Sequence, residues 1–290
     1  MKKLLCLFLL LISLPLIAGN QRKNNYKYEL SACMIFRDEA QYLKEWIEFH
    51  RLLGVEHFYL YNNLSKDNYI EVLQSYVSNG IVELIEWNRE SHDLNEWNEI
   101  QIGAYNDGLV RARNKSKWLA ILDSDEFLFP TVENKILKIL RKYEKWDKFG
   151  GLLVNWVGFG TSRVAKIPDD KLLIETLKLC VPTGSDHFKS IILTKRVDHI
   201  CSPHYAIYKK GYRHFTPDGG LPPFIQIDKI RINHYWSRDE WFLHNIKIPR
   251  RKPWGTSEEV CILWAEASNG VEGSEILRFV EPLRKRMGFD

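Results

Sequence analysis

The chain has 290 residues, 45% hydrophobic and 27% charged, which excludes a disordered or low-complexity chain and gives one large domain or two ordinary ones a sizeable core. Its formal charge of +4 falls to a surplus of two once Lys2 and Lys3 of the leader are set aside, which disfavours a nucleic-acid binder driven by bulk charge. The unusual value is 10 Trp, and aromatic rings both fill cores and stack on sugars and bases.

In chain order, Lys2 and Lys3 precede an apolar run from Leu4 to Ala18, broken by Ser13 and Pro15. The run is shorter than the span of about 20 residues that crosses a bilayer. Residues 1–19 therefore read as a signal peptide, with an uncleaved signal-anchor as the alternative. The expected destination is the secretory pathway or a membrane surface, with the cytoplasmic face also open. Beyond Cys6 the cysteines are Cys33, Cys180, Cys201 and Cys261, with no CxxC, which argues against structural zinc. One or two disulfides are open to an exported domain, while Cys33, in an apolar run, reads as an inert core residue.

Leu30 to Phe36 reads as a buried strand. Asp38 is placed to cap a helix whose apolar side carries Ala40, Leu43, Ile47 and Leu53. Lys44, Glu48 and Arg51 take the other face, and Gly54 stops it. His57 to Tyr61 is a second strand, a helix runs from Asp67 to the Asn79-Gly80 stop, and Ile81 to Trp87 is a third strand. Glu96 to Arg113 reads as a helix despite Gly103 and Gly108, and Trp118 to Leu122 is a wholly apolar fourth strand. This alternation predicts an α/β fold with a mostly parallel central sheet covered by helices on both faces. Residues 256–290 read as terminal helices.

In such sheets ligands bind outside the carboxyl ends of the strands. The fourth strand runs directly into Asp123-Ser124-Asp125-Glu126-Phe127. Two carboxylates one residue apart on that turn suit a hard cation, Mg²⁺ or Mn²⁺, that keeps positions open for substrate phosphate. No GxGxxG follows the first strand, and neither a P-loop nor a GxSxG elbow occurs. An α/β nucleotide site with an acidic pair in place of a Gly-rich loop fits nucleotide-sugar chemistry.

Cys33-Met34-Ile35-Phe36-Arg37-Asp38-Glu39, the run Tyr42 to His50 and Gly54 to Phe58 come first in an ordered series of motifs. Tyr61 to Asp67, Gln101 to Asp107 and Trp118 to Phe127 continue it, followed by His187 to Ile191, Pro203-His204-Tyr205 and Ile232 to Trp241. The series resembles glycosyltransferase family 92 over most of residues 30–250. The resemblance implies a Rossmann-like GT-A fold in a single catalytic domain over residues 25–290, a UDP-sugar donor, Mn²⁺ or Mg²⁺, and inversion at the anomeric carbon. Galactose is the favoured hexose, with a glycan or glycolipid hydroxyl as acceptor and no nucleic-acid partner. Where family members carry Thr-Lys-Ser after the His-Tyr pair, this chain has Trp236-Ser237-Arg238. A phosphate-contacting lysine is thus replaced, with Arg238 one place on.

The resemblance sets the expected roles. Asp123 and Asp125 are the metal ligands, with Asp123 also at the donor, and His234 supplies a third ligand or is a hydrogen-bonded strand histidine. Asp239 and Glu240 are candidates for the general base that inversion needs, against a plain reading as helix N-terminal charge. Arg37, Asp38, Asn62, Asp67 and Lys189 are candidates for the nucleotide or its diphosphate, although Asp38 also suits an N-cap and Asn62 a turn. Arg250-Arg251-Lys252 reads as solvated surface or as contact with an anionic acceptor. The stretches Asn155–Ser162 and His214–Pro223 read as acceptor-side loops. Trp46, Trp97 and Trp118 are assigned to the core, and Trp156, Trp236 and Trp254 to sugar contact. The rivals are another metal-dependent phosphate-transfer enzyme, which has no use for the late His234 motif, and a catalytically silent carbohydrate-binding protein, which has no need of an intact acidic pair.

Overall fold

The computed structural model describes residues 26–220 and 225–289. The leader, residues 1–19, lies outside the described residues.

The first half follows the expected alternation: β1 (Tyr28–Phe36), α1 (Ala40–Leu52), β2 (His57–Asn62), α2 (Tyr69–Ser78), β3 (Val82–Glu86), α3 (Leu94–Ala112) and β4 (Ser116–Ile121). These strands pair in parallel in the order β3-β2-β1-β4. Strand order therefore reverses between β1 and β4, and a crevice opens outside their carboxyl ends. The second half supplies β5 (Glu126–Pro130), α4 (Ile136–Tyr143), β6 (Phe149–Gly158), α5 (Leu173–Thr176), β7 (Leu179–Cys180), β8 (Phe188–Leu193), β9 (Val197–Ile200), β10 (Ala206–Tyr208), β11 (Arg213–Phe215) and β12 (Ile230–His234). The chain closes with α6 (Glu240–Phe242), α7 (Ile248–Arg251), α8 (Glu258–Ala267), β13 (Val271–Glu272) and α9 (Val280–Met287). The central sheet continues β4-β8-β6-β12-β5, with β8 antiparallel to both neighbours, β5 antiparallel to β12, and β11 parallel to β6. Asn155 to Gly158, expected in a loop, is the end of β6, because Trp156 and Val157 pair in register with Ile232 and Asn233.

Alternation along β1 builds the two cores. Leu30, Ala32, Met34 and Phe36 face a cluster that includes Trp46 of α1 and Trp118 of β4, while Cys33 and Ile35 face Tyr59, Tyr61 and Tyr105. Both buried indoles find acceptors: Trp46 Nε1 donates to the Glu126 carbonyl at 2.8 Å and Trp118 Nε1 to Glu144 at 3.0 Å. A Cβ at Gly108 would stand 2.5 Å from Cys33 Sγ. That close approach of α3 to β1 explains a glycine whose cost in a helix interior is about 1 kcal/mol. All four described cysteines are free thiols, and burial pushes the Cys33 thiol far above its usual range.

The caps differ from expectation. Asp38 takes a left-handed conformation (φ 52°) one residue before the cap, and the first turn of α1 is held from a distance: Ala40 N–H donates to Asp67 at 2.7 Å. Asp38 in turn accepts from the Lys66 N–H at 2.7 Å, so the loops after β1 and β2 brace each other. The polar face of α1 meets α9, where Arg286 pairs with Glu48 at 2.7 Å.

Glu45, buried on α1, accepts the Leu173 and Ile174 N–H groups at 2.8 and 3.2 Å. Burial, opposed by those two donors, pushes its carboxyl from 4.5 up to about 7. Folding therefore takes up a proton here between those values, and the stability this contributes at low pH is lost as pH rises through 7. The shift corresponds to roughly 3 kcal/mol. Glu45→Gln should flatten the fall in urea midpoint between pH 5 and pH 8 relative to wild type. An equal fall in both proteins would remove Glu45 from the account.

Candidate active site

The crevice at the β1/β4 switch is a cleft of about 460 Å³. The Asp123-Ser124-Asp125 turn lies at its base, with Arg37 and Glu39 after β1, and Trp97 and Gln101 from α3, on its walls. Trp156, His187, His204 and His234 line it from the second half of the sheet, and Trp236, Lys247, Arg250, Arg251 and Trp254 from the C-terminal segment.

The two aspartates sit in different electrostatic settings. Asp123 Oδ1 accepts from Tyr105 Oη at 2.6 Å and Gln101 Nε2 at 2.8 Å, while Oδ2 meets the Lys189 ammonium at 2.8 Å. Burial opposes the Asp123 charge most strongly, but the Lys189 ammonium and the hydrogen bonds from Lys189 and Tyr105 together outweigh it, and the carboxyl lies below its usual range. Lys189 is buried in β8 and also lies 3.8 Å from Glu126, whose carboxyl burial pushes well up. Asp125 reaches the end of β12 and the C-terminal segment instead. Its Oδ1 lies 3.4 Å from His234 Nε2 and its Oδ2 3.1 Å from Lys247 Nζ. Burial again opposes ionisation, and Lys247 and His234 together bring Asp125 well below the carboxylate range.

Asp125 and His234 thus offer one carboxylate and one imidazole to the same space, a donor set that suits Mn²⁺ or Mg²⁺, and the Lys247 ammonium marks where positive charge is accepted. Asp123 lines the same cleft, with Tyr105, Gln101 and Lys189 on its two oxygens. Among the described residues, no group of three or more His, Cys, Asp or Glu side chains is arranged to hold a metal ion. An ion here would take its remaining ligands from substrate oxygens and water.

The other expected site residues separate cleanly. Arg37 lines the cleft and donates Nε–H to the Asn63 carbonyl at 2.8 Å. Asp38 and Asp67 are spent on the loop brace, and Asn62, almost wholly buried, donates to Glu86 at 2.7 Å and accepts from the Ser65 N–H at 3.1 Å. None of these three reaches the cleft, because each satisfies backbone or side-chain groups at the ends of β1 and β2. Lys189 lies beneath Asp123 as its counter-ion and does not line the cleft.

Asp239 and Glu240 also move out of the catalytic role. Asp239 is 1% exposed; one oxygen caps α6 by accepting the Phe242 N–H at 2.8 Å and the other accepts the Ile167 N–H at 2.8 Å. Glu240 bonds to Thr161 and lies 3.6 Å from His244, off the cleft. Arg238, placed by sequence near the donor phosphate, turns inward. It pairs with Glu39, lies 3.6 Å over the Tyr42 ring and 4.5 Å over Phe242, and donates to Ser124 at 3.4 Å.

Several cleft residues carried no usable sequence signal. Trp97, assigned to the core, stacks on Trp254 at 5.8 Å across the cleft mouth. Gln101 and Tyr105 are spaced i, i+4 on α3, so one helix face presents both to Asp123. Arg250 and Arg251, read as solvated surface or as contact with an anionic acceptor, line the cleft. Trp156, Trp236 and Trp254 do lie there, Trp156 packed against His234 at 4.2 Å and stacked on His187 at 5.3 Å.

A curled, mostly parallel sheet with an acidic turn at its switch point and a cation-lined cleft defines an α/β domain of the GT-A type. The chain belongs to glycosyltransferase family 92, whose family model matches residues 28–218. A family 92 protein of Arabidopsis thaliana is 24% identical over 243 residues, covering 81% of this chain and 40% of that protein. One of Ricinus communis is 28% identical over 242 residues, covering 80% and 39%. The chain therefore spans about two fifths of the length of these relatives. The β-1,4-galactosyltransferase galt-1 of Caenorhabditis elegans is 27% identical over 120 residues, covering 39% of this chain and 28% of that one. Among solved structures, S. aureus TarS 1–349 superposes with a TM-score of 0.40 at 9% identity, covering 90% of this chain and 74% of that one.

Proposed function

We propose that the chain is a divalent-metal-dependent hexosyltransferase that moves a hexose, galactose favoured, from a UDP-sugar to a glycan or glycolipid hydroxyl with inversion. The observation that carries this is the meeting of Asp125 and His234 in a cation-lined cleft at the carboxyl ends of β1 and β4. Asp125 and His234 would hold the ion, which when bound supplies Lewis-acid neutralisation of the leaving diphosphate. Lys189, Gln101 and Tyr105 fix Asp123 beside it, and Arg37 stands where β1 delivers the nucleotide. The galactose reading leans on the relatives named as β-1,4-galactosyltransferases. A β-linkage made from an α-linked nucleotide sugar requires inversion, and inversion requires a base. With Asp239 and Glu240 off the cleft, we take His187, which lines it, as the base. Its Nδ1 is braced by Ser185 Oγ at 3.1 Å and Asp186 at 3.2 Å, which makes Nε2 the nitrogen available to an acceptor hydroxyl.

The test is donor hydrolysis by the whole chain with a panel of nucleotide sugars. Nucleotide release that needs Mn²⁺ or Mg²⁺ and stops with chelator is expected, fastest with UDP-galactose. Release from no donor would sink the transferase reading and leave the silent sugar-binding protein; turnover of non-sugar phosphate esters would favour the phosphate-transfer rival. Placement in the secretory pathway or on a membrane through residues 1–19 is part of the same proposal. Nucleotide sugars are supplied in the cytoplasm or the Golgi lumen, so fractionation with N-terminal sequencing of the native protein is the measurement that checks it.

A further inference from the structure

Lys247 stands at the end of a five-residue π-helical turn, Leu243–Lys247, inserted between α6 and α7. Such turns are rare and recur at functional sites. Pro249, two residues beyond the turn in the first turn of α7, has no N–H for a helical ladder. The consequence is an arm, residues 243–251, that turns Lys247, Arg250 and Arg251 into one cleft. The three cations are engaged differently. Arg250 pairs with Glu39 at 3.3 Å and donates to the Arg37 carbonyl at 3.1 Å. Arg251 has no carboxylate within ion-pair distance among the described residues and lies over the Trp236 and Trp254 rings at 5.8 and 5.4 Å. Lys247, 7% exposed, takes Asp125 Oδ2, on the same carboxylate whose other oxygen faces His234.

One carboxylate cannot hold an ammonium ion and a divalent cation together without strong repulsion between them at about 4 Å in a partly desolvated cleft. An incoming diphosphate changes that balance, because it brings enough negative charge to take Lys247 from Asp125 while Arg251 waits beside it. We propose that Lys247 is a placeholder counter-ion: it occupies Asp125 in the donor-free cleft and passes to the diphosphate when ion and nucleotide enter together. The arm then makes binding of the divalent ion conditional on the nucleoside diphosphate, so a free ion is refused and the ion–diphosphate pair is accepted. This rests on the transferase reading above and adds a role for the chain's own cations toward the donor.

Linkage supplies the test, since two ligands that help each other must do so by the same factor in both directions. Mn²⁺ binding is read by the loss of the free-ion EPR signal, with and without UDP, and UDP binding by calorimetry with and without Mn²⁺. Wild type should bind Mn²⁺ weakly alone and at least tenfold more tightly with UDP. Lys247→Met should bind Mn²⁺ alone about tenfold more tightly than wild type and UDP more weakly, so that the coupling factor falls toward one. Lys247→Gln, which can still hydrogen-bond to Asp125, should shift both affinities the same way by less, and it carries the test if the Met variant loses its melting transition. Arg251→Gln should weaken UDP without tightening Mn²⁺ alone. Unchanged or weaker Mn²⁺ binding by both Lys247 variants, with a wild type that binds the Mn²⁺–UDP pair, overturns the placeholder and leaves the transferase reading standing. A wild type that binds neither ligand overturns both.

Discussion

Asp125→Asn should lower metal-dependent donor turnover by a factor of order 10³, the scale lost when one charge-stabilising group leaves an active site. The change keeps the shape of the side chain and removes the charge shared by His234 and Lys247. The cost to the fold should be smaller than for Asp123→Asn, because Lys247, although only 7% exposed, lines the cleft, whereas Lys189 does not. Asp123→Asn makes the contrast. It leaves Lys189, 1% exposed, with the Pro203 carbonyl at 3.2 Å and Glu126 at 3.8 Å but without its close carboxylate. Removing one partner of a buried pair costs about 3–5 kcal/mol, so Asp123→Asn should show a clear fall in melting temperature as well as lost turnover. Activity assays and melting curves on the two variants decide it. Full turnover in Asp125→Asn would remove this carboxylate from the chemistry, and a collapsed fold would make it structural.

Arg238→Ala should be the most destabilising single change in the C-terminal half. The guanidinium is 1% exposed, pairs with Glu39, and lies against Tyr42 and Phe242. Its loss leaves Glu39 with Arg250 alone and opens space between α1 and α6. A cost of about 3–5 kcal/mol is expected, a fall in melting temperature of the order of 10 °C. Arg238→Lys should recover little of it, because an ammonium neither stacks on two rings nor offers a planar fork. Unchanged melting with weakened UDP binding would instead restore Arg238 to the donor, where the sequence pattern had put it.

Asp239 and Asp38 show why local sequence could not assign such roles. Both are acidic residues beside recognisable motifs, and both are consumed by backbone N–H groups. The donors to Asp239 include Ile167, and the partner of Asp38 is Lys66. A carboxylate that caps a helix or braces a loop looks in sequence like one that waits for substrate. Whether its lone pairs are already used depends on what folds against it. The place of Lys247, and the choice between the two readings of Arg251, were illegible for the opposite reason. A basic residue after a helix is usually solvated, and only the π-helical turn redirects these two into the cleft.

What the sequence determined by itself was the alternation of apolar strands and amphipathic helices, the burial of Trp46, Trp118 and Cys33, and the acidic turn leaving β4. Each follows from periodicity or from an unbroken apolar run, which are properties of neighbouring residues. What only the tertiary structure decided was the partition of the acidic pair. Asp123 went to Gln101, Tyr105 and Lys189, and Asp125 to His234 and Lys247. Those partners stand between 18 and 122 residues away. The electrostatics of a carboxylate depend on charges within a few ångströms, and chain distance does not encode them.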